Sequence, residues 1–328
     1  MSVGNSRMND STLTDSALLS AAVPEERPRV AIVGVPLRYG ADMVGVELGP
    51  AVMRMAGLEA RIAQLGYDVH DLGDIGAERP ARPAKASDKL KYLLEISRIC
   101  EQLSDRVKGV LDSGELPVIL GGDHSIAIGS LAGVSSHCRE QKESLGLIWF
   151  DAHADMNTPE STPSGHIHGM PLAALLGFGA TELTGIGGFS PKLDPKLCAH
   201  VGARDLDPGE RKLVRELGMR FFTMREIDER GMSACMDEAI AIASRGKAGY
   251  AVTFDVDALD PNDAPGSGTL VRGGLTYREA HLAMEKIAEA GGMISLEVVE
   301  INAALDVNNR TGELGVELIL SGLGKTIL

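Results

Sequence analysis

The feature that most constrains this chain is an alternation. From residue 29 onward, short apolar runs take turns with longer amphipathic stretches. The segments "RVAIVGVPL" (29–37), "YDVHDLG" (67–73), "LPVILGGDH" (116–124) and "LGLIWFDAH" (145–153) read as strands, as do "LCAHVGARD" (197–205), "MRFFTM" (219–224), "GYAVTFDVD" (249–257) and "MISLEVVEIN" (293–302). Helical stretches fall at 51–66 with Pro50 just ahead, at about 87–113, from Ser125, over "DPGERKLVRELG", on to about 245, over "TYREAHLAMEKIAEAG" and over 310–323. Strands alternating with helices predict a parallel sheet with helices on both faces. Near-continuous apolar strands fit a sheet covered on both sides. A closed eight-stranded barrel shares the alternation and ranks second.

No repeat, low-complexity block or linker follows residue 28, so residues 29–328 are expected to form one domain. Residues 1–28 are polar and mixed in charge and are expected to be a flexible tail. Their "ALLSAAV" is short for a signal-peptide core, and Asp10 and Asp15 stand where positive charge is needed.

The chain is 44% hydrophobic and 24% charged, which suits a globular protein with a sizeable core. No apolar run approaches the roughly 18–20 residues of a membrane span. A net charge of −14 argues against a broad phosphate-reading surface, so no nucleic-acid partner is expected. Cys100, Cys138, Cys198 and Cys235 form no CxxC pair and fit a reducing cytoplasm.

Ligands of open parallel sheets bind beyond the carboxyl ends of the strands. The unusual residues of this chain collect there. His124 follows "VILGGD", Asp151, His153 and Asp155 follow "LIWF", Asp255 and Asp257 end "AVTFDVD", and Glu300 ends "SLEVVE". Alternate strand residues share a face, so Asp151 with His153, and Asp255 with Asp257, point the same way. Asp151 and Asp155 would lie ~13 Å apart on an extended strand. For both to reach one centre the chain must leave the sheet and curl, and the small Ala152 and Ala154 allow that crowding. Converging carboxylates repel and are driven toward protonation unless cations neutralise them. Four carboxylates and two imidazoles, with no cysteine offered, suit two Mn²⁺ or similar divalent ions. Such a pair can activate one bridging water. Two decoys fail. "SGLGKTIL" has Ile319 where a P-loop needs glycine, and "GIGGFS" lacks the third glycine of a dinucleotide fingerprint.

Taken together, "GGDHSIAIG", "DAHADMNTPESTPSGHIHGMP", "FDVDALDPNDAPGSGT", "GGLTYRE" and "EVVEIN" resemble arginase, in the ureohydrolase superfamily, and most of all the bacterial arginases. The likeness runs from about residue 29 to the end. It implies a three-layer α/β/α sandwich around a mostly parallel eight-stranded sheet. It also implies a hydrolase of linear amidines that cleaves the guanidinium of L-arginine to L-ornithine and urea by attack of a metal-bridging hydroxide. One Mn²⁺ would take His124, Asp151, Asp155 and Asp255, the other Asp151, His153, Asp255 and Asp257. Asp155 would relay a proton to the leaving amine, His168 would act as acid/base or shuttle, and Glu300 would hold the guanidinium. Asn157, Thr162 and Ser164 match positions that contact the α-carboxylate, and Asp207 and Glu210 match those near the α-amino group. "DPGE" also reads as a helix start with a capping box. A homotrimer or homohexamer is implied, with Arg278 and Glu279 in a stretch used at such interfaces.

The sequence departs from the family pattern at His166, where asparagine is usual, and at Arg272 in "GTLVRGG". Competing readings are another ureohydrolase, acting on agmatine or a guanidino acid, and a metal-binding homologue without turnover. A single-zinc deacetylase on the same fold analogy is disfavoured by six ligands.

Overall fold

The computed structural model describes Met1 and residues 28–76 and 79–326; the expected tail, save its two end residues, lies outside them. Eight parallel strands form one open sheet in the order β2-β1-β3-β8-β7-β4-β5-β6. They are β1 (Arg29–Val35), β2 (Asp68–Asp74), β3 (Leu116–Gly121), β4 (Gly146–Phe150), β5 (Cys198–Ala203), β6 (Arg220–Thr223), β7 (Tyr250–Asp255) and β8 (Met293–Val299). Every pairing is parallel, and the two ends of the order are free edges, so the sheet is open and the barrel is excluded.

The helices are α1 (Gly49–Met55), α2 (Leu58–Gln64), α3 (Leu93–Asp112), α4 (Ala127–Glu140), α5 (Pro171–Leu175), α6 (Thr181–Thr184), α7 (Pro208–Leu217), α8 (Met224–Arg230), α9 (Met232–Ala243), α10 (Tyr277–Ala290) and α11 (Arg310–Gly322). They build two apolar layers, one on each face of the sheet. On β4, Ile148 and Phe150 pack with α9, α10 and α11, while Leu147 and Trp149 pack with α3, α4 and α5. This is the period-2 alternation of a strand buried on both sides. The three-layer α/β/α sandwich is therefore as expected.

Two helices differ from the expectation. The stretch at 51–66 is two helices, because Gly57 between them takes φ 80°, a left-handed turn. The third helix starts at Leu93 rather than near 87. The residues before it run across the loop at 162–168 instead. Lys91 N–H donates to the Gly165 carbonyl at 3.0 Å, and a Cβ on Gly165 would meet the Asp88 carbonyl at 2.0 Å.

Candidate metal centre and its pocket

β3, β4, β7 and β8 are neighbours near the middle of the sheet, and all run the same way. Their carboxyl ends therefore deliver His124, Asp151, Asp255, Asp257 and Glu300 to one place. Beyond β4 the chain turns sharply. Asp155 adopts φ 52°, and its carbonyl accepts the N–H groups of Leu172 and Ala173 at 3.0 and 3.2 Å. That curl brings Asp155 back to the centre. Ala152 and Ala154, the small residues beside it, are fully buried.

Two clusters result, and Asp151 belongs to both: His124 with Asp151 and Asp155, and Asp151 with His153 and Asp257. In the first, His124 Nδ1 lies 3.2 Å from Asp151 Oδ2, 3.1 Å from Asp155 Oδ2 and 3.2 Å from Asp255 Oδ2. In the second, His153 Nδ1 lies 3.5 Å from Asp151 Oδ1 and 3.0 Å from Asp257 Oδ2. His124 Nδ1 and Asp155 Oδ2 are buried and make no hydrogen bond at all. One ring nitrogen faces three carboxylate oxygens with no aligned hydrogen bond, a donor set that suits a divalent cation.

The other ring nitrogen of His124 fixes the tautomer. Nε2 lies 3.0 Å from Thr253 Oγ1, whose hydroxyl donates to Glu297 Oε1 at 2.8 Å. With its own proton committed to Glu297, Thr253 accepts from Nε2–H, which leaves the Nδ1 lone pair for a metal. Trp149 stacks on the His124 ring at 4.3 Å and donates Nε1–H to Asp151 Oδ2 at 3.1 Å. Thr269 Oγ1 donates to Asp257 Oδ2 at 3.0 Å, and Asp257 Oδ1 accepts Ala152 N–H at 3.1 Å. Thr253, Glu297, Trp149 and Thr269 were not singled out in the sequence. The available signal was a polar residue inside an apolar strand, as in "AVTF" and "SLEVV".

The electrostatics follow from burying so many acids together. Burial, then the charge of Asp151, pushes the Asp155 carboxyl up to about 7. Burial, then Asp257 and Asp151, pushes Asp255 well above the usual carboxylate range. Burial opposes ionisation of Asp151, yet the neighbouring His124 and His153 imidazoles hold it well below that range. Burial works against the protonated forms of His124 and His153, but their carboxylate neighbours raise both well above the ordinary histidine value. Protons thus occupy the place that metal cations would take.

Glu300 also stands at a left-handed φ, 65°. Its Oε1 accepts the His124 backbone N–H at 2.8 Å and His168 Nδ1 at 3.0 Å. His168 is half-buried against Glu300; desolvation lowers it, but that carboxylate brings it up to about 9. Asp123, just before His124, accepts the N–H groups of Gly40 and Ser125 and holds the turn after β3.

A pocket of about 130 Å³ opens over the centre. His153, Asp155 and Asp255 line it together with every expected substrate contact: Asn157, Thr162, Ser164, His166, Asp207 and Glu210. Several of these are already engaged. Glu210 closes the capping box of α7, with Oε2 accepting Asp207 N–H at 2.7 Å, and its Oε1 accepts Met156 N–H at 3.0 Å. Both oxygens of Glu210 thus already serve the fold. Asn157 Nδ2 donates to Asp207 Oδ2 at 2.9 Å, and its Oδ1 accepts the Ser161 hydroxyl at 2.9 Å. Thr162 Oγ1 accepts Gly165 N–H at 2.9 Å, and Ser164 Oγ accepts His166 N–H at 3.2 Å. Arg272 is exposed and outside the pocket.

Comparison with known proteins gives one consistent picture. The model of the Arginase family matches residues 28–324. The arginase of Bacillus caldovelox is 48% identical over 300 residues, covering 91% of this chain and 99% of that protein. The arginase of Brevibacillus brevis is 46% identical over 299 residues, with 91% and 99% covered. The crystal structure of the Bacillus caldovelox arginase at pH 5.6 superposes with a TM-score of 0.87 at 47% identity, covering 92% of this chain and all of that one.

Proposed function

The chain belongs to the arginase family, and on that premise we propose that it hydrolyses L-arginine to L-ornithine and urea. The observation that carries the reading is His124 Nδ1, buried without a hydrogen bond among the oxygens of Asp151, Asp155 and Asp255, with a second cluster sharing Asp151 beside it. The residues fit a pair of divalent ions of the Mn²⁺ type. His124, Asp151, Asp155 and Asp255 would hold one, and Asp151, His153, Asp255 and Asp257 the other. Such a pair, when bound, supplies a water made acidic enough to act as a nucleophile near neutral pH.

The chain's own residues do the rest. Glu300 keeps Oε2 without a protein partner among the described residues and pairs it with the guanidinium. This holds a resonance-stabilised, poorly electrophilic carbon in place for attack. Asp155 Oδ2 takes up a proton and hands it to the departing amine nitrogen. His168, charged beside Glu300 and in the pocket lining, replenishes protons there. The narrow pocket and its polar rim select a small guanidino substrate over a macromolecule.

Agmatine has no carboxylate, so its hydrolysis would leave the carboxylate-reading positions of the rim, Asn157 and Ser164, unmatched. Assembly as a homotrimer or homohexamer agrees with Arg278, exposed on α10 and, among the described residues, paired with Glu285 of its own helix. A cytoplasmic setting agrees with four free, buried cysteines. Among the described residues no helix is long and apolar enough to cross a membrane.

The test is urea release from L-arginine, agmatine and guanidinobutyrate after loading with Mn²⁺, Co²⁺, Ni²⁺ or Fe²⁺. Arginine turned over fastest, with Mn²⁺ effective, is the expected result. Faster turnover of agmatine would replace the substrate assignment.

A further inference from the structure

Arginine carries two cationic groups and one anionic group, and the pocket is not symmetric toward them. Asp155, Asp255, Asp207 and Glu210 all line it. Among the described residues no lysine or arginine lines it. Positive charge behind the lining would complement the carboxylate end. Lys91, in the segment laid across the 162–168 loop, places Nζ 2.8 Å from Nε2 of His166. Among the described residues this ammonium has no carboxylate within ion-pair distance.

An ammonium can only donate, so His166 Nε2 accepts and the ring proton sits on Nδ1. Nδ1 has no protein partner among the described residues, and His166 lines the pocket. Burial, then Lys91 and His168, also lowers the His166 pKa below the ordinary value, which keeps the ring neutral near pH 7. A neutral imidazole polarised by an ammonium is a stronger donor than an amide. We propose that Lys91 is a positioning residue that acts through His166, orienting and polarising its Nδ1–H toward the α-carboxylate and so setting the preference for amino-acid substrates. This rests on the arginine reading above. The neighbouring Lys89 is not equivalent, because its Nζ donates to the Thr162 carbonyl at 2.8 Å.

The test uses the Mn²⁺-loaded full chain and compares inhibitors that differ only in the carboxylate. In Lys91→Met, the KM for L-arginine and the Ki for L-ornithine rise about tenfold, the loss of one charge-polarised hydrogen bond. The kcat stays within about twofold, and the Ki for L-ornithinamide is unchanged. Lys91→Arg restores the wild-type Ki for ornithine. On a His166→Asn background, Lys91→Met has no further effect. Calorimetric titration with ornithine reads the same change without turnover. Equal weakening of ornithine and ornithinamide, or a fall in kcat and thermal stability without a KM change, would reduce the pair to a tether between two loops. Either result overturns the proposal and leaves arginine hydrolysis standing. A wild-type enzyme that releases no urea from arginine overturns both.

Discussion

Asp155 Oδ2 stands 3.1 Å from His124 Nδ1, both atoms are buried, and neither makes a hydrogen bond. The Thr253–Glu297 relay holds the proton of His124 on its other nitrogen, so two lone pairs face one gap. Such a contact is tolerable only when a cation, proton or metal, fills it. Thr253→Val removes the relay and leaves the His124 tautomer free. The expected outcome is metal affinity at the His124 site lowered roughly 10–100-fold, as for other outer partners of ligands. Competition with a chelator measures it; unchanged affinity would refute the tautomer argument.

Metal loading should release protons. In the metal-free protein the carboxylates around His124 and His153 hold both imidazoles protonated well above their ordinary value, despite burial. Asp155, pushed up to about 7 by burial and by Asp151, is partly protonated at neutral pH. A metal takes only deprotonated ligands, so its affinity rises with pH. Titration calorimetry in two buffers of different ionisation enthalpy counts the protons at pH 6.5 and 8. Net release is expected at both values, with affinity greater at pH 8; net uptake would contradict it.

Glu300 is joined to the centre through the His124 backbone N–H and to His168. Glu300→Gln keeps an acceptor for the backbone but loses the charge proposed to face the guanidinium. A charge-assisted bond contributes ~1.5–3 kcal/mol, so kcat/KM for arginine should fall roughly 10–100-fold with little change in melting temperature. A large loss of stability with normal kcat/KM would assign Glu300 to the fold instead.

Glu210 is the opposite case. Both oxygens accept backbone N–H groups, from Met156 and Asp207. In Glu210→Gln an amide NH₂ must face one of those donors, leaving a buried N–H unpaired, which costs ~1–3 kcal/mol. Denaturant unfolding of the metal-free chain should show that loss. An unchanged midpoint with a raised KM would return Glu210 to substrate binding.

The sheet was legible in the sequence because each strand is an apolar run bounded by polar residues, and "LIWF" leads straight into Asp151. The six candidate ligands were legible for the same reason, since strand ends in a parallel sheet converge. What escaped depends on tertiary context. Nothing local marks Asp155 or Glu300 for left-handed φ, a conformation that costs of order 1–3 kcal/mol and persists because surrounding bonds hold it. Gly57 breaks a stretch whose apolar periodicity continues on both sides. Lys91 reaches His166 across 75 residues of sequence, so no window reading could pair them. Thr253 and Glu297 looked like interior strand residues until β7 and β8 were found side by side.

The most direct test of the central claim is anomalous diffraction from crystals of the Mn²⁺-loaded protein. The account predicts two peaks per chain, one beside His124 and one beside His153, with Asp151 touching both. A single peak, or peaks away from these side chains, would contradict it.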